Sequence, residues 1–297
     1  MNKTPNYNPF WRVCGPFILY TVIQFVAQIL VSLVLVVTNT EELAKAYATL
    51  SEVSTDAEWT AAITSMTTYM MQVVLEHYVE ITGVIALCTI PVMAIFFRKD
   101  RKREREQNIL TNLKAPVQKY LFLPVLGLAV CLGFNCLILM TDLAFVSESY
   151  VSNSSLFYSA SFPVQIVCIG IIVPISEELL FRGVIFKRLR EVVDFKKAML
   201  LSAIIFALIH SSFIQMIYAF VLALFLAYVY EKYGSFKAPV LLHISVNLIS
   251  LICTESKILD LLYAVPMLMA VAVVVCAFIG AVMFILIQKI KEKPVTE

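Results

Sequence analysis

The sequence predicts an all-α, polytopic integral membrane protein with about eight transmembrane helices, and three observations carry that prediction. Of the 297 residues, 60% are hydrophobic and only 15% are charged, against roughly 45–50% and ~25% in soluble globular chains. The apolar residues gather into runs of about 20, the length that crosses ~30 Å of hydrocarbon as a helix. Lys and Arg fall in short clusters at alternate ends of those runs, which is how a chain encodes its orientation in a bilayer. A soluble globular enzyme is excluded. Disordered and disulfide-stapled chains are excluded too, because only 8 Gly and 11 Pro accompany abundant Leu, Ile, Val and Phe. A net charge of +2 leaves no basis for nucleic-acid binding.

The spans follow from the flanks. Basic flanks occur at Lys3 with Arg12, at Arg98 to Lys119, at Lys187 to Lys197, at Lys232 with Lys237 and at Lys289 to Lys293. Between them lie flanks that are acidic or neutral: Glu41 to Glu80, Asp142 to Ser161, the Ser211-Ser212 corner and Glu255 to Asp260. The first run, Val13 to Thr40, is uncharged and longer than the ~7–15-residue core of a signal peptide, so it is expected to remain as a span. Unbroken alternation gives spans at about 10–38, 78–97, 120–141, 161–186, 198–212, 213–231, 238–254 and 260–288. The positive-inside rule places both termini in the cytoplasm, in what is expected to be the cell membrane. Ala198 to Tyr230 could be read as one over-long helix, but basic residues at both ends require an even number of crossings and hence a tight hairpin near Ser211. Residues 41–68 are expected to form an external amphipathic loop and 98–119 a basic cytoplasmic loop. The chain divides into N-terminal spans (1–160), a core of four spans (161–254), and a last span with its tail (255–297). Seven cysteines without CxxC or metal-finger spacing read as small buried hydrophobes.

Polar residues inside a span are costly and therefore informative. The fourth span reads IIVPISEELLFRGVIF. Glu178 and Arg182, four apart, share a helical face and are expected to pair. Glu177 points ~100° away and remains free for other work. The fifth span carries FALIH, with Phe206 and His210 on one face, and the seventh HISVN, with His243 and Asn247 on one face. At ~1.5 Å per residue from the nearest basic flank, Glu177 lies about 15 Å deep, His210 about 20 Å, His243 about 9 Å and Asn247 about 15 Å. A carboxylate, two imidazoles and an amide at a common depth supply a base for water and donors for a developing oxyanion. A lone His or Asn in a span is more often interhelical glue. Glue, however, does not call for adjacent carboxylates with two histidines at matched depth. The crowd of Glu76, His77 and Glu80 reads as an interfacial polar collar, and the RKDRKRERE run as a topology-setting cytoplasmic loop, which accounts for it fully without the anionic-lipid binding such a run could support.

EELLFR, FALIH and HISVN resemble the EExxxR, FxxxH and HxxxN motifs of the CPBP family, the CAAX proteases and bacteriocin-processing enzymes, also called Abi or type II CAAX prenyl endopeptidases. The match runs in the family's order across about residues 162 to 253. The resemblance implies an intramembrane endopeptidase acting on membrane-associated proteins or peptides, in CAAX-type processing, peptide maturation or bacteriocin immunity. It implies that Glu177 and His210 activate water and that His243 and Asn247 polarise the scissile carbonyl, with Glu178, Arg182 and Phe206 in support. A zinc version of the chemistry would use Glu177, His210 and His243 as ligands. No HExxH is present, and a glutamate mechanism without a cofactor is preferred. The alternatives are a proton- or ion-coupled transporter, for which related halves or helices broken at corresponding positions are not found, and a non-catalytic immunity protein, for which an intact motif set is not required.

Overall fold

The computed structural model describes residues 8–38, 44, 45, 48, 55–109, 111–142 and 147–291. Among them no strand occurs. The helices are α1 (Pro9–Thr38), α2 (Asp56–Glu76), α3 (Tyr78–Glu106), α4 (Phe122–Met140, entered through a 3-10 turn at Val117–Leu121), α5 (Glu148–Phe157), α6 (Phe162–Leu189), α7 (Phe195–Leu208), α8 (Phe213–Tyr233), α9 (Lys237–Glu255), α10 (Ile258–Ala264) and α11 (Pro266–Gln288). Among the described residues, seven segments are long and apolar enough to cross a membrane: α1, α3, α4 with its 3-10 turn, α6, α8, α9 and α11. The chain is an all-α polytopic membrane protein.

The expected span at 198–212 differs. Asp194 caps α7 by accepting the Lys197 N–H at 3.0 Å, which holds its carboxyl below the usual carboxylate range, so the helix begins at Phe195. It has 14 residues, about 21 Å of rise. The Ser212 hydroxyl then accepts the Gln215 N–H and starts α8. The tight hairpin therefore exists, and His210 sits in its turn rather than within a helix.

Two expected loops are partly helical. In the segment assigned as an external loop, residues 56–68 belong to α2, because Thr55 and Glu58 form a reciprocal capping box; positions 41–43, 46, 47 and 49–54 lie outside the described residues. His77 joins α2 to α3, its Nδ1 donating to the Val73 carbonyl, so the expected collar is a helix junction. In the segment assigned as a basic loop, α3 continues through the charges to Glu106 and stops where Asn108 adopts a left-handed φ of 50°.

That extension is tied down by ion pairs. Asp100, 5% exposed, accepts Arg188 Nε at 2.7 Å and Arg12 Nη2 at 3.2 Å. Glu191 accepts Arg12 Nε at 2.9 Å and pairs with Arg103, and Glu104 pairs with Lys187 and Arg101, each at 3.0 Å. The network fastens the basic ends of α1, α3 and α6 to one another. Inside the bilayer two apolar clusters form the core. One joins α4, α8, α9 and α11 through Leu123, Leu226, Tyr233 and Leu242. The other joins α1, α3, α6, α7 and α8 around Phe181, Phe206 and Ala223. A Cβ at Gly83 would overlap the Cys168 side chain, so glycine is what lets α3 lie against α6. Of the seven free thiols, four are buried as expected, whereas Cys88 faces outward and Cys14 and Cys168 are half-buried.

Asp100→Asn should leave Arg188 and Arg12 short of an acceptor in a largely dry setting, a cost on the order of 3 kcal/mol. Thermal unfolding of the purified protein in detergent should show a clear fall in Tm. An unchanged Tm would mean that the network is ornamental.

Candidate active site

α6 reaches the site with an irregular backbone. Residues Ile166–Ile172 and Leu179–Phe186 wind as π-helix, and the Val173 N–H reaches back five residues to the Cys168 carbonyl. Pro174, which has no N–H, follows directly. Wider turns of this kind recur at functional sites because they re-aim backbone groups. Here the Ile169 carbonyl accepts Nδ2 of Asn247 from α9 at 2.9 Å. That bond fixes the Asn247 amide and leaves its second N–H for the cavity it lines.

Behind the cavity lies a charged cluster with no access to solvent. Glu178 and Arg182 are both 0% exposed, and Arg182 Nη1 donates to Glu178 Oε1 at 2.9 Å. The same oxygen accepts Nδ1 of His243 at 2.9 Å. Arg182 Nη2 donates to the Ala223 carbonyl of α8 at 3.1 Å, and the guanidinium stands 4.7 Å from the centre of the Phe206 ring. Among the described residues, Glu178 Oε2 and Arg182 Nε find no hydrogen-bond partner. Since Nδ1 of His243 is committed to Glu178, its Nε2 faces forward, 3.7 Å from Glu177 Oε2.

The front of the site is a cavity of about 390 Å³ onto which Glu177, His210, His243, Asn247 and Phe206 all open. Glu177 keeps 17% of its side chain exposed, while Glu178 one residue on has none. The 100° step between them is what separates the two environments. His210 Nδ1 lies 2.8 Å from the Phe206 carbonyl. A carbonyl can only accept, so Nδ1 carries a proton and Nε2 is the basic atom of the neutral ring. Phe206, 1% exposed, is the packing hub: its ring centre lies 4.9 Å from Phe181, 5.0 Å from His210 and 5.9 Å from His243. All seven motif residues singled out in the sequence thus meet at one place. Among the described residues no group of three or more His, Cys, Asp or Glu side chains is placed to hold a metal ion.

Several contributors carry no signal in the sequence. Ser176, buried beside Glu177, is hydrogen-bonded to Thr89 of α3 and to the Tyr20 hydroxyl of α1 at 3.2 Å. At the other end, the Asn153 amide of α5 donates to the Ser211 hydroxyl at 2.7 Å, and the Tyr158 and Ser250 hydroxyls are 3.3 Å apart. Single Ser, Thr, Tyr and Asn residues recur throughout the chain, and only the fold brings these together. Burial pushes the Tyr150 phenol up, so it stays neutral.

Residues 159–249 match the family described as type II CAAX prenyl endopeptidase Rce1-like. The matched segment contains α6, α7 and α8, most of α9, and every motif residue of the site. Over 81 residues the chain is 41% identical to "UPF0177 protein YxdF" of Lactococcus lactis subsp. lactis (strain IL1403), covering 27% of this chain and 44% of that protein. Over 100 residues it is 28% identical to "Putative membrane peptidase YdiL" of Bacillus subtilis (strain 168), covering 34% of this chain and 41% of that protein. The chain therefore spans less than half the length of these curated relatives. No solved structure matches.

Removing Arg182 strands the Glu178 carboxylate in a dry interior, at about 3–5 kcal/mol. Arg182→Ala should therefore reduce the amount of folded protein recovered from membranes, measured by detergent extraction and size-exclusion chromatography. Normal recovery would show that Arg182 is not the counter-charge the geometry makes it.

Proposed function

We propose that the chain is an intramembrane endopeptidase that hydrolyses a peptide bond of a membrane-associated protein or peptide with a water activated by Glu177 and His210. One observation carries the reading: Glu177, His210, His243 and Asn247, from three separate segments, line a single cavity backed by the sealed Glu178–Arg182 pair. With His243 protonated, Glu177, Glu178, Arg182 and His243 sum to zero charge, which is the least costly state for a cluster in low dielectric.

In this mechanism a water held between Glu177 and His210 gives up a proton to Glu177 as its oxygen attacks the carbonyl carbon. His210, oriented by the Phe206 carbonyl, accepts the water's second hydrogen bond at Nε2. The oxyanion forms against Nε2–H of His243 and the free N–H of Asn247, two donors fixed in advance by Glu178 and by the Ile169 carbonyl. Collapse of the tetrahedral intermediate breaks the C–N bond. The proton on Glu177 passes to the leaving nitrogen, restoring the carboxylate. We further propose that the protein resides in the cell membrane with both termini in the cytoplasm, as the alternation of basic flanks indicates.

Glu177→Gln should abolish cleavage of a membrane-anchored reporter while leaving folding intact, because the amide keeps the shape but cannot take a proton. His210→Ala should behave alike, and the double variant should be little worse than either, since groups that share one step are strongly non-additive. Asn247→Ala should lose about 10²–10³-fold, the worth of one oxyanion donor. Cleavage by Glu177→Gln at the unsubstituted rate would overturn the proposal.

Exhaustive chelation with elemental analysis tests the metal-free form of the mechanism separately. Full activity in metal-free protein is expected. Activity restored only by zinc would recast Glu177, His210 and His243 as ligands.

A further inference from the structure

The cavity is strongly one-sided. Its deepest residue relative to the basic ends is His243, six residues past Lys237, and at ~1.5 Å per residue that is about 9 Å. Phe206, Glu177 and Leu222 lie about 14–15 Å from Lys197, Lys187 and Lys232 on the same scale. The remaining lining lies toward the helix ends remote from the basic flanks: Tyr78 and Thr82 at the start of α3, Asn135 and Ile138 in the later part of α4, Gln215 and Tyr218 at the start of α8, Ser250 near the end of α9. The catalytic group is therefore the floor of the cavity. Its rim is formed by α5 and the α7–α8 turn, where the exposed Ser211 accepts from Asn153. At the opposite face lie the Asp100–Arg188–Arg12 network and the Arg190–Glu231 pair at 3.0 Å, none of whose residues lines the cavity.

The wall chemistry is equally one-sided. Among the described residues, no charged side chain apart from Glu177, His210 and His243 lines the cavity; the polar lining is hydroxyl and amide, including Tyr150, Asn153, Tyr158 and Gln215. A volume of about 390 Å³ falls at the small end of the ~300–1,000 Å³ of ligand sites. It suits a few residues of extended, uncharged chain.

We infer that the substrate reaches Glu177 from the face opposite the Lys/Arg clusters, the extracytoplasmic face, past α5 and the Ser211 turn, and that it is an uncharged stretch of an exported or membrane-anchored polypeptide rather than the tail of a cytoplasmic protein. The nature of the substrate rests on the protease reading; the direction of approach does not. Walls without charge favour hydroxyl-bearing, amide and small apolar side chains around the scissile bond, because a substrate carboxylate or ammonium there would be desolvated without a partner.

Ser211→Cys and Asn153→Cys report the rim, and Lys102→Cys, on the exposed basic end of α3, reports the other face. Each is labelled with a membrane-impermeant maleimide on intact cells and after permeabilisation, against the unsubstituted chain as background for its own thiols. Both rim variants should be labelled in intact cells and Lys102→Cys only after permeabilisation; agreement between the two rim positions guards against one that misfolds. Rim labelling only after permeabilisation would overturn the inference. The labelling is repeated on Glu177→Gln, which removes chemistry without touching the rim, so the direction of approach is read even where no peptide bond is cut. In the active chain, prior labelling at Ser211→Cys should abolish cleavage of a reporter whose scissile segment is presented outside the cell. Cleavage surviving complete labelling, or confined to a reporter presented in the cytoplasm, would overturn the assignment of the substrate.

Discussion

One carboxylate oxygen organises the candidate site of this protein. Glu178 Oε1 receives both the Arg182 guanidinium and Nδ1 of His243, at 2.9 Å each, with no solvent exposure on Glu178 or Arg182. A lone charge at the centre of a bilayer costs at least ~2.5–3.5 kcal/mol on insertion scales, so neither residue is stable there without the other. Their pairing in turn decides which way His243 points: with Nδ1 donating backward, only Nε2 remains to face Glu177 and the cavity. The geometry of the site is thus set by the requirement that charge be neutralised in a dry interior.

The rest of the bundle accommodates that cluster. Phe206 covers the Arg182 guanidinium and spaces His210 and His243, so the packing that excludes water from the ion pair also positions the two rings. The π-helical winding of α6 supplies an acceptor for Asn247. On the basic side, the pairs around Asp100 and Glu191 hold α1, α3 and α6 together just beyond the apolar zone. The result is a bundle tied together by ion pairs at its basic ends, with a cavity lined largely by the parts of its helices remote from them.

What the sequence discloses follows from how strongly membrane physics constrains it. Long apolar runs and the alternation of basic ends predict the spans and the hairpin at Ser211, because hydrocarbon admits little but helices. Glu177, Glu178, Arg182, His210, His243 and Asn247 are legible for the same reason: each breaks an apolar run and needs an explanation. The fifth span is overestimated because Ile209 to Ser212 contains no Asp, Glu, Lys or Arg and yet forms the turn that ends at Ser212, the N-cap of α8. Residues 98–106 resemble a loop by charge, although Arg101–Glu104 and Lys102–Glu106 pairs three and four apart let the helix run on. The roles of Ser176, Asn153 and Asp100 are invisible in one dimension. Their partners are 58 to 156 residues away, and no local pattern marks them.

The central claim is that Glu178 and Arg182 are required as a neutral pair for folding, while the Glu178 carboxylate is separately required to orient His243. A double-mutant cycle with Glu178→Gln, Arg182→Gln and their combination, read for both thermal stability in detergent and cleavage of a membrane-anchored reporter, separates the two roles. The account predicts that the double variant recovers most of the stability lost by either single one, because no unpaired charge remains, yet stays catalytically impaired because His243 has lost its ionic acceptor. Additive stability losses, or recovery of cleavage together with stability, would contradict it.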